Sequence, residues 1–514
     1  MGVKTSPQSE KKTPNLAVQK SHEEGTVVDF DASYLIAGGY EPQLERSFSW
    51  MQLFSCAFIV TNSWLGVTGG FSTGLTVGGS ATIIYGLIIV ALFNIAIVVS
   101  LGELVSSMPN AGGQYFWAMK LAPSRLSRVS AYVCGICNLL GGLTGVSSGA
   151  VAAAYMILGC VNLSHPDFEI KAWHAFLIAV GFILLTSVLN LNESVITEAV
   201  VIGLWSCLAA CFAITIIPAA VAKEHTSPNF IFNSTENSSG WSSPGMAFLV
   251  GMINANYAFG LIDTGVHMAE EIPEPEKNVP KALLMAVGIG FVTAWPLACA
   301  LINCAVDIDR IAGTSTGVPL LELFYLSLRE NVAGAIFMQL LVAISYFWCL
   351  AAVQTYQSRI CWSFSRDQGL PFSKLWSQVH PRLKVPLNAH ILCVCLSIIL
   401  CILPLASTTA FNSLVTGVIV FPYISIVIPV FFSLLPRNKD VPKGPFNLGR
   451  WGTAARVLTI LYCTTVSVIY CFPYTMPVTA GNMNYISAII GIVAIYAIFD
   501  WFLRARKQFN QKEL

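Results

Sequence analysis

Long charge-free intervals limit what this chain can fold into. No Asp, Glu, Lys or Arg occurs between Arg46 and Glu103, Arg128 and Asp167, Glu198 and Lys223, Glu236 and Asp263, or Lys281 and Asp307. The same holds between Glu330 and Arg359, Lys384 and Arg437, and Arg456 and Asp500. A helix needs roughly 20 apolar residues to cross a bilayer, so these intervals hold about twelve spans. Charged residues make up 11% of the chain, against about 25% in soluble domains. The lipid bilayer is therefore the expected surrounding. The net charge of +1 argues against nucleic acid as a partner.

Two of the apolar intervals are interrupted. Gly251 to Lys281 begins as a span, but Asn254, Asn256, Tyr257 and Gly260 break the apolar run, and the acid Asp263 follows. Glu270, Glu271, Glu274 and Glu276, with two prolines, then carry the chain out of the bilayer. The other interruption is Gly66-Val67-Thr68-Gly69-Gly70 in the first span. Irregular backbone at membrane depth is tolerated only where it is buried in protein or lines a cavity. Corresponding interruptions in two halves of a polytopic chain are the best sequence pointer to a transporter's binding site. An acid at that depth is a functional-site hypothesis by default.

Orientation follows from the basic residues, which favour the cytoplasmic loops. With the N-terminus inside, 24 of the 28 Lys and Arg residues fall on the cytoplasmic side. Only Lys171, Lys223, Arg310 and Arg329 fall outside. Both termini are then cytoplasmic, and the sequons at Asn162, Asn233 and Asn237 face outward while Asn192 faces inward. The polar N-terminal stretch, disordered in at least its first part, is expected to lack a cleavable signal. The 15 cysteines lie mostly in apolar runs and read as small apolar side chains. Cys134-Gly-Ile-Cys137 has metal-ligand spacing but no partner ligands nearby in sequence. No cofactor is implied. The seven histidines are scattered, and neither a Walker nor a GxSxG motif appears. Both points argue against an enzyme and against transport powered by this chain's own ATPase.

Three motifs carry a resemblance. Span two ends in Gly102-Glu-Leu-Val-Ser-Ser-Met-Pro-Asn-Ala-Gly-Gly-Gln-Tyr-Phe-Trp117. Span six is followed by His267-Met-Ala-Glu-Glu-Ile-Pro-Glu-Pro-Glu-Lys-Asn-Val-Pro280, and span eight by Trp362-Ser-Phe-Ser-Arg-Asp-Gln-Gly-Leu-Pro371 with Val385-Pro386. Together these resemble the amino acid–polyamine–organocation permease family. Thr61-Asn-Ser-Trp-Leu-Gly66 and Gln357 to Asp367 look most like the fungal choline permeases of that family. The chain departs from that branch at Leu65 and Tyr257, where choline carriers tend to have a Trp. The resemblance implies an all-α polytopic fold with a five-plus-five inverted repeat, spans one and six broken, and two accessory spans. It implies a cytoplasmic tail over residues 1–46, a transport core over 47–435, accessory spans over 436–503 and a second tail over 504–514.

The resemblance also implies a fungal plasma-membrane symporter, driven by protons or alternatively Na+, that imports a small amine. Choline or an ethanolamine compound is the first expectation. The rivals are 4-aminobutyrate, another amino acid or a polyamine, and a nutrient receptor that does not transport. Expected substrate contacts are the glycine break (Gly66, Thr68, Gly69, Gly70) and a cation cage of Trp64, Tyr257 and Phe259 near Asp263. Aromatic faces attract quaternary ammonium groups, and Tyr346 and Trp348 are weaker candidates. Asp263 is expected as proton carrier or counter-charge. Glu270 and Glu271 are expected as gate charges facing Arg359, Arg366 or Lys120, with Glu103 as a further gate or interfacial acid. His267 reads as a capping or interface residue rather than a ligand.

Overall fold

The computed structural model describes residues 43–510 apart from 45, 236 and 440. Most of the N-terminal tail and the last four residues lie outside the described residues. Among the described residues are twelve helical spans long and apolar enough to cross a membrane. They are span 1 (Trp50–Phe71), span 2 (Val77–Ser107), span 3 (Ser124–Ser164), span 4 (Ala172–Leu189), span 5 (Glu193–Val221) and span 6 (Pro244–Met268). Span 7 (Pro275–Cys304), span 8 (Val332–Arg366), span 9 (Leu387–Leu405), span 10 (Phe411–Ser433), span 11 (Arg450–Ile469) and span 12 (Ile486–Gln508) complete the set. All elements among the described residues are helical. All fifteen cysteines are free thiols.

Burial divides the spans. Spans 1, 2, 3, 6 and 10 are mostly buried, whereas most residues of spans 4, 9 and 12 are at least partly exposed. A helix that is apolar all round belongs in lipid or in a protein core, and the exposed set has the composition for lipid contact. Spans 1 and 6 sit among spans 2, 5, 7, 8 and 10. Between spans 7 and 8 a short helix, Pro319–Ser327, buries Leu320, Leu321, Leu323 and Phe324 and packs against span 8.

Span 1 is interrupted, at a different residue from the one expected. Its first helix ends at Thr61, Asn62 takes a left-handed conformation (φ 33°), and a new helix begins at Ser63. Gly66 to Gly70 lie inside that second helix. The glycines serve close approach instead of unwinding. A Cβ at Gly66 would lie 2.4 Å from the Ala258 Cα of span 6. One at Gly69 would lie 2.6 Å from the Tyr346 hydroxyl, and one at Gly70 3.0 Å from the Asn254 side chain. The second helix runs on to Ser107, with Gly79 (φ 76°) as the corner between spans 1 and 2.

Span 6 is interrupted as its sequence suggests. Short helices cover Pro244–Gly251 and Ile253–Tyr257, Leu261 is left-handed (φ 55°), and a 3-10 turn covers Ile262–Met268. Glycines in span 3 give it room on both sides. Gly145 faces Leu261, Gly142 faces Tyr356 and Gly141 faces Pro422.

Gly66→Ala should therefore cost stability, since overpacking costs about 1–3 kcal/mol and backbone is the obstacle here. Gly181→Ala in span 4, where nothing lies within 4 Å of the added methyl, should be neutral or stabilising by up to about 1 kcal/mol. Thermal unfolding of the two purified variants checks the contrast.

Candidate functional site

Spans 6 and 8 run side by side and meet at four successive levels. At the first, Asn254 and Tyr257 of span 6 and Tyr346 of span 8 line a cavity of about 110 Å³ with Gly69, Phe411 and Tyr474. The four rings come from three spans and the turn after span 11. The Tyr474 hydroxyl is held 2.7 Å from Thr416 Oγ1. No Lys, Arg, Asp or Glu lines this cavity. Asn254 is 3% exposed, and neither atom of its amide has a hydrogen-bond partner. Buried polar groups are ordinarily paired, so this amide retains its full hydrogen-bonding capacity beside the cavity.

At the second level the two helix interruptions meet. A smaller cavity, about 40 Å³, is lined by Asn62, Leu65 and Gly66 from span 1, Gly260 and Leu261 from span 6, and Val353 from span 8. Tyr257 and Tyr346 wall both cavities. The first turn of a helix leaves its amides without intrahelical partners, so the Ser63 and Trp64 amides are the free donors of span 1. Thr68, Gly69 and Gly70, which were expected to offer theirs, lie within the helix.

The third level is a fully buried polar network around Asp263. Its carboxylate accepts from Gln114 Nε2 at 2.6 Å and from the Tyr356 hydroxyl at 3.3 Å. Asn138 donates to Gln114 Oε1 at 3.0 Å, and its Oδ1 lies 3.2 Å from the Tyr356 hydroxyl, whose single proton serves either this oxygen or the carboxylate. His267 Nδ1 lies 2.8 Å from the Ala111 carbonyl. A carbonyl only accepts, so Nδ1 carries a proton. His267 Nε2 then faces Asn138 Nδ2 at 2.9 Å and Asp263 Oδ2 at 3.5 Å. A neutral ring accepts from the amide; a protonated ring points N–H at the carboxylate.

Two ion pairs form the fourth level. Arg359 holds Glu271 through two bonds of 2.9 and 2.8 Å, with both side chains 1% exposed. Arg366 holds Glu270 through two bonds of 2.8 Å and stacks on the Trp362 ring, 4.5 Å from its centroid. Glu270 also accepts from the Ala111 amide at 3.1 Å. The adjacent Gly113 is left-handed (φ +51°), and a Cβ there would strike Val266 and His267. Both glycines of the Gly112-Gly113 motif lie in this tight loop against span 6.

The remaining expected residues fall elsewhere. Trp64, Thr68 and Phe259 are buried but line neither cavity. The reason is helical phase: at roughly 100° per residue, residues two apart point about 200° away from each other. Gly66, Gly69 and Gly70 share the cavity face, so Trp64 and Thr68 take the opposite one. Thr68 closes its own hydroxyl on the Leu65 carbonyl at 2.7 Å. Phe259 likewise turns from Tyr257 toward Gly290 of span 7. Glu103 meets no residue of the fourth level; it accepts from Arg456 at 2.6 Å and from the Leu448 amide at 2.7 Å, binding span 2 to span 11. Asp263 lines neither cavity. Tyr346 and Tyr356 are ten residues apart on one helix, which puts the first and third levels about 15 Å apart at about 1.5 Å per residue.

Phe411, Tyr474, Gln114, Asn138 and Tyr356 had not been singled out. Gln114 and Asn138 carried a signal, an amide at the edge of or within a charge-free run. Phe411 and Tyr474 carried none, because ordinary aromatics are common in spans.

The profile of the amino acid permease family matches residues 51–495. This chain belongs to that family. The permease is 37% identical to the choline transporter of Saccharomyces cerevisiae, over 94% of this chain and 86% of the relative. It is 30% identical to the amino-acid permease BAT1 of Arabidopsis thaliana, over 92% and 94% respectively. A 7-keto 8-aminopelargonic acid transporter of Saccharomyces cerevisiae is 30% identical, over 88% and 91%. The permease is thus a multi-pass membrane protein of a transporter family.

The fourth level gives a direct test. Removing one partner of a buried ion pair costs about 3–5 kcal/mol because the other charge is left unpaired. Arg359→Met should lower the unfolding temperature of the permease markedly, and adding Glu271→Gln should recover most of the loss. Thermal scans of the single and double variants check this.

Proposed function

We propose that this permease is a proton-coupled importer of a small amine at the plasma membrane, with choline as the first substrate and an ethanolamine compound next. The observation that carries the reading is the four-ring cavity of Tyr257, Tyr346, Phe411 and Tyr474, which no basic side chain lines. Ring faces attract a quaternary ammonium by about 0.5–2 kcal/mol each. A carboxylate guest would find no cation there. The similarity to a yeast choline transporter supports the same substrate.

The cation's hydroxyl would take the Asn254 amide. Asp263, whose partner Tyr356 lies about 15 Å beyond Tyr346 along span 8 by helical rise, is assigned to coupling rather than to the substrate. Loading the two cavities presses on Gly260 and Leu261, and the turn that carries Asp263 and His267 begins at the next residue. A proton shared between this carboxylate and the His267 ring would change the network's hydrogen bonds without leaving an unpaired charge. Glu270 and Glu271 would then release Arg366 and Arg359 to open the inner side. In this reading spans 1–5 and 6–10 are the inverted halves, and spans 11 and 12 are accessory. The ion-pair end faces the cytoplasm, where the basic loops lie, with both termini on that side.

Uptake assays in cells lacking their own carriers test the substrate. Tyr257→Ala should raise the half-saturating choline concentration by roughly 2- to 30-fold, the equivalent of about 0.5–2 kcal/mol for one ring face, while Tyr257→Phe changes it little. Choline should compete better than 4-aminobutyrate; micromolar inhibition by 4-aminobutyrate with none from millimolar choline would favour an amino-acid permease. Saturable accumulation itself separates a carrier from a receptor.

Asp263→Asn should abolish accumulation against a gradient and its pH dependence while sparing exchange. An unchanged pH profile in that variant would remove Asp263 from coupling. Terminal tags should be reached only after permeabilisation, and any glycan should be on the outer sequons, Asn233 and Asn237 foremost. A C-terminal tag labelled on intact cells would reverse the orientation.

A further inference from the structure

A third cavity, about 480 Å³, lies away from the four levels, between the ends of spans 2 and 10 and the start of span 11. It lies at the same end of the bundle as Glu270 and Glu271, because spans 2, 6, 8 and 10 all run toward that end. Its walls differ in kind. Leu104, Met108, Leu121 and Leu435 supply an apolar part, and Lys439, Lys443 and Arg450 supply exposed cations. Its acid, Glu103, is already engaged by Arg456 at 2.6 Å and by the Leu448 amide. None of the three exposed cations pairs with a carboxylate among the described residues. The connector 436–450 carries four basic residues against one acid in sequence, Asp440, which lies outside the described residues.

Depth along the membrane is marked independently. Trp451, next to Arg450 at the start of span 11, is 71% exposed, and Leu448 is exposed beside it. Exposed Trp at a span end is placed at headgroup level by its amphipathic ring. A cavity at that depth, apolar toward the span ends and basic at the rim, suits a molecule with an acyl-glycerol part and several negative charges. Basic pockets between spans on the cytoplasmic side bind phosphorylated lipid headgroups.

We propose that this cavity is a binding site for a phosphoinositide of the inner leaflet, a phospholipid whose headgroup bears phosphates beyond the diester. The inner-leaflet assignment rests on the orientation proposed above; the binding does not. The headgroup phosphates lie against Lys439, Lys443 and Arg450, and the glycerol backbone against Leu104 and Met108. The site has a route to the transport path. Three residues after Met108, Ala111 touches both His267 and Glu270, and the Met108 carbonyl accepts from Trp117 Nε1 at 2.8 Å.

The experiment uses the full-length permease in detergent, with binding read by native mass spectrometry and by thermal shift. Phosphatidylinositol 4,5-bisphosphate should bind and raise the unfolding temperature. Phosphatidylserine at equal total charge should do neither. Inositol trisphosphate should bind much more weakly than the lipid, because it lacks the apolar part. Each Gln substitution at Lys439, Lys443 or Arg450 should weaken lipid binding roughly fivefold, while Lys374→Gln, on the same face but outside the cavity, should not. The lipid-free unfolding temperature of each variant reports whether it is folded.

Equal binding by the triple variant, or by phosphatidylserine, would overturn the proposal. So would inositol trisphosphate binding as tightly as the lipid, since a soluble phosphate would then be the ligand. None of these outcomes touches the amine reading, which uptake decides separately.

Discussion

The contact of Gly66 with Ala258 is the constraint on which the rest depends. It brings two interrupted helices together backbone against backbone, with a Cβ-to-Cα separation of only 2.4 Å for any side chain added at Gly66. No hydrophobic drive between helices exists within lipid, so association there relies on close packing and on buried hydrogen bonds. Once Gly66 fixes the crossing, Asn62 and Leu261 fall beside one another, and their left-handed backbones open the small cavity between them. Tyr257 and Tyr346 then become common walls of both cavities. A larger residue at this one position would separate the walls of everything above and below it.

Below the crossing, the protein keeps charge in a place where charge is costly. A fully buried carboxylate is tolerated only with partners, and Asp263 has Gln114, Tyr356 and His267 around it. The Glu271–Arg359 pair is equally enclosed. Such pairs are weak evidence for stability, because desolvation offsets much of the attraction. In the transport cycle proposed above, such pairs would exchange partners: a paired charge that changes partner never becomes bare, so an end sealed by these pairs would open without leaving an orphan charge in the core.

Much of this was legible in the amino-acid sequence, for identifiable reasons. Charge-free intervals set the number of spans because bilayer thickness sets their length. Span 6 announced its interruption because Asn254, Asn256 and Asp263 are polar groups that a simple span does not need. Glu270 and Glu271 could be set against Arg359, Arg366 or Lys120 because acids at the end of a span are expected to pair with basic groups at the same depth. Span 1 misled. Its glycines have two uses, unwinding and close approach, and only the neighbouring span decides between them. Trp64 and Phe259 line neither cavity for a related reason: they are adjacent to the interruptions in sequence, but helical phase turns them away. Phe411 and Tyr474 come from far along the chain and join the cavity only through tertiary packing.

The four matched levels of spans 6 and 8 also make each span a ruler for the other. Asn254, Leu261 and Asp263 on one, with Glu271 just beyond its end, are read against Tyr346, Val353, Tyr356 and Arg359 on the other. Inserting a single residue between Tyr346 and Tyr356 would rotate everything beyond it by about 100° and shift it by about 1.5 Å. The aromatic wall would stay in place while the partner of Asp263 and both arginines swung out of reach. Chemistry at each level can drift by substitution, one side chain at a time, but the count of residues between levels is fixed as firmly as the pitch of a screw.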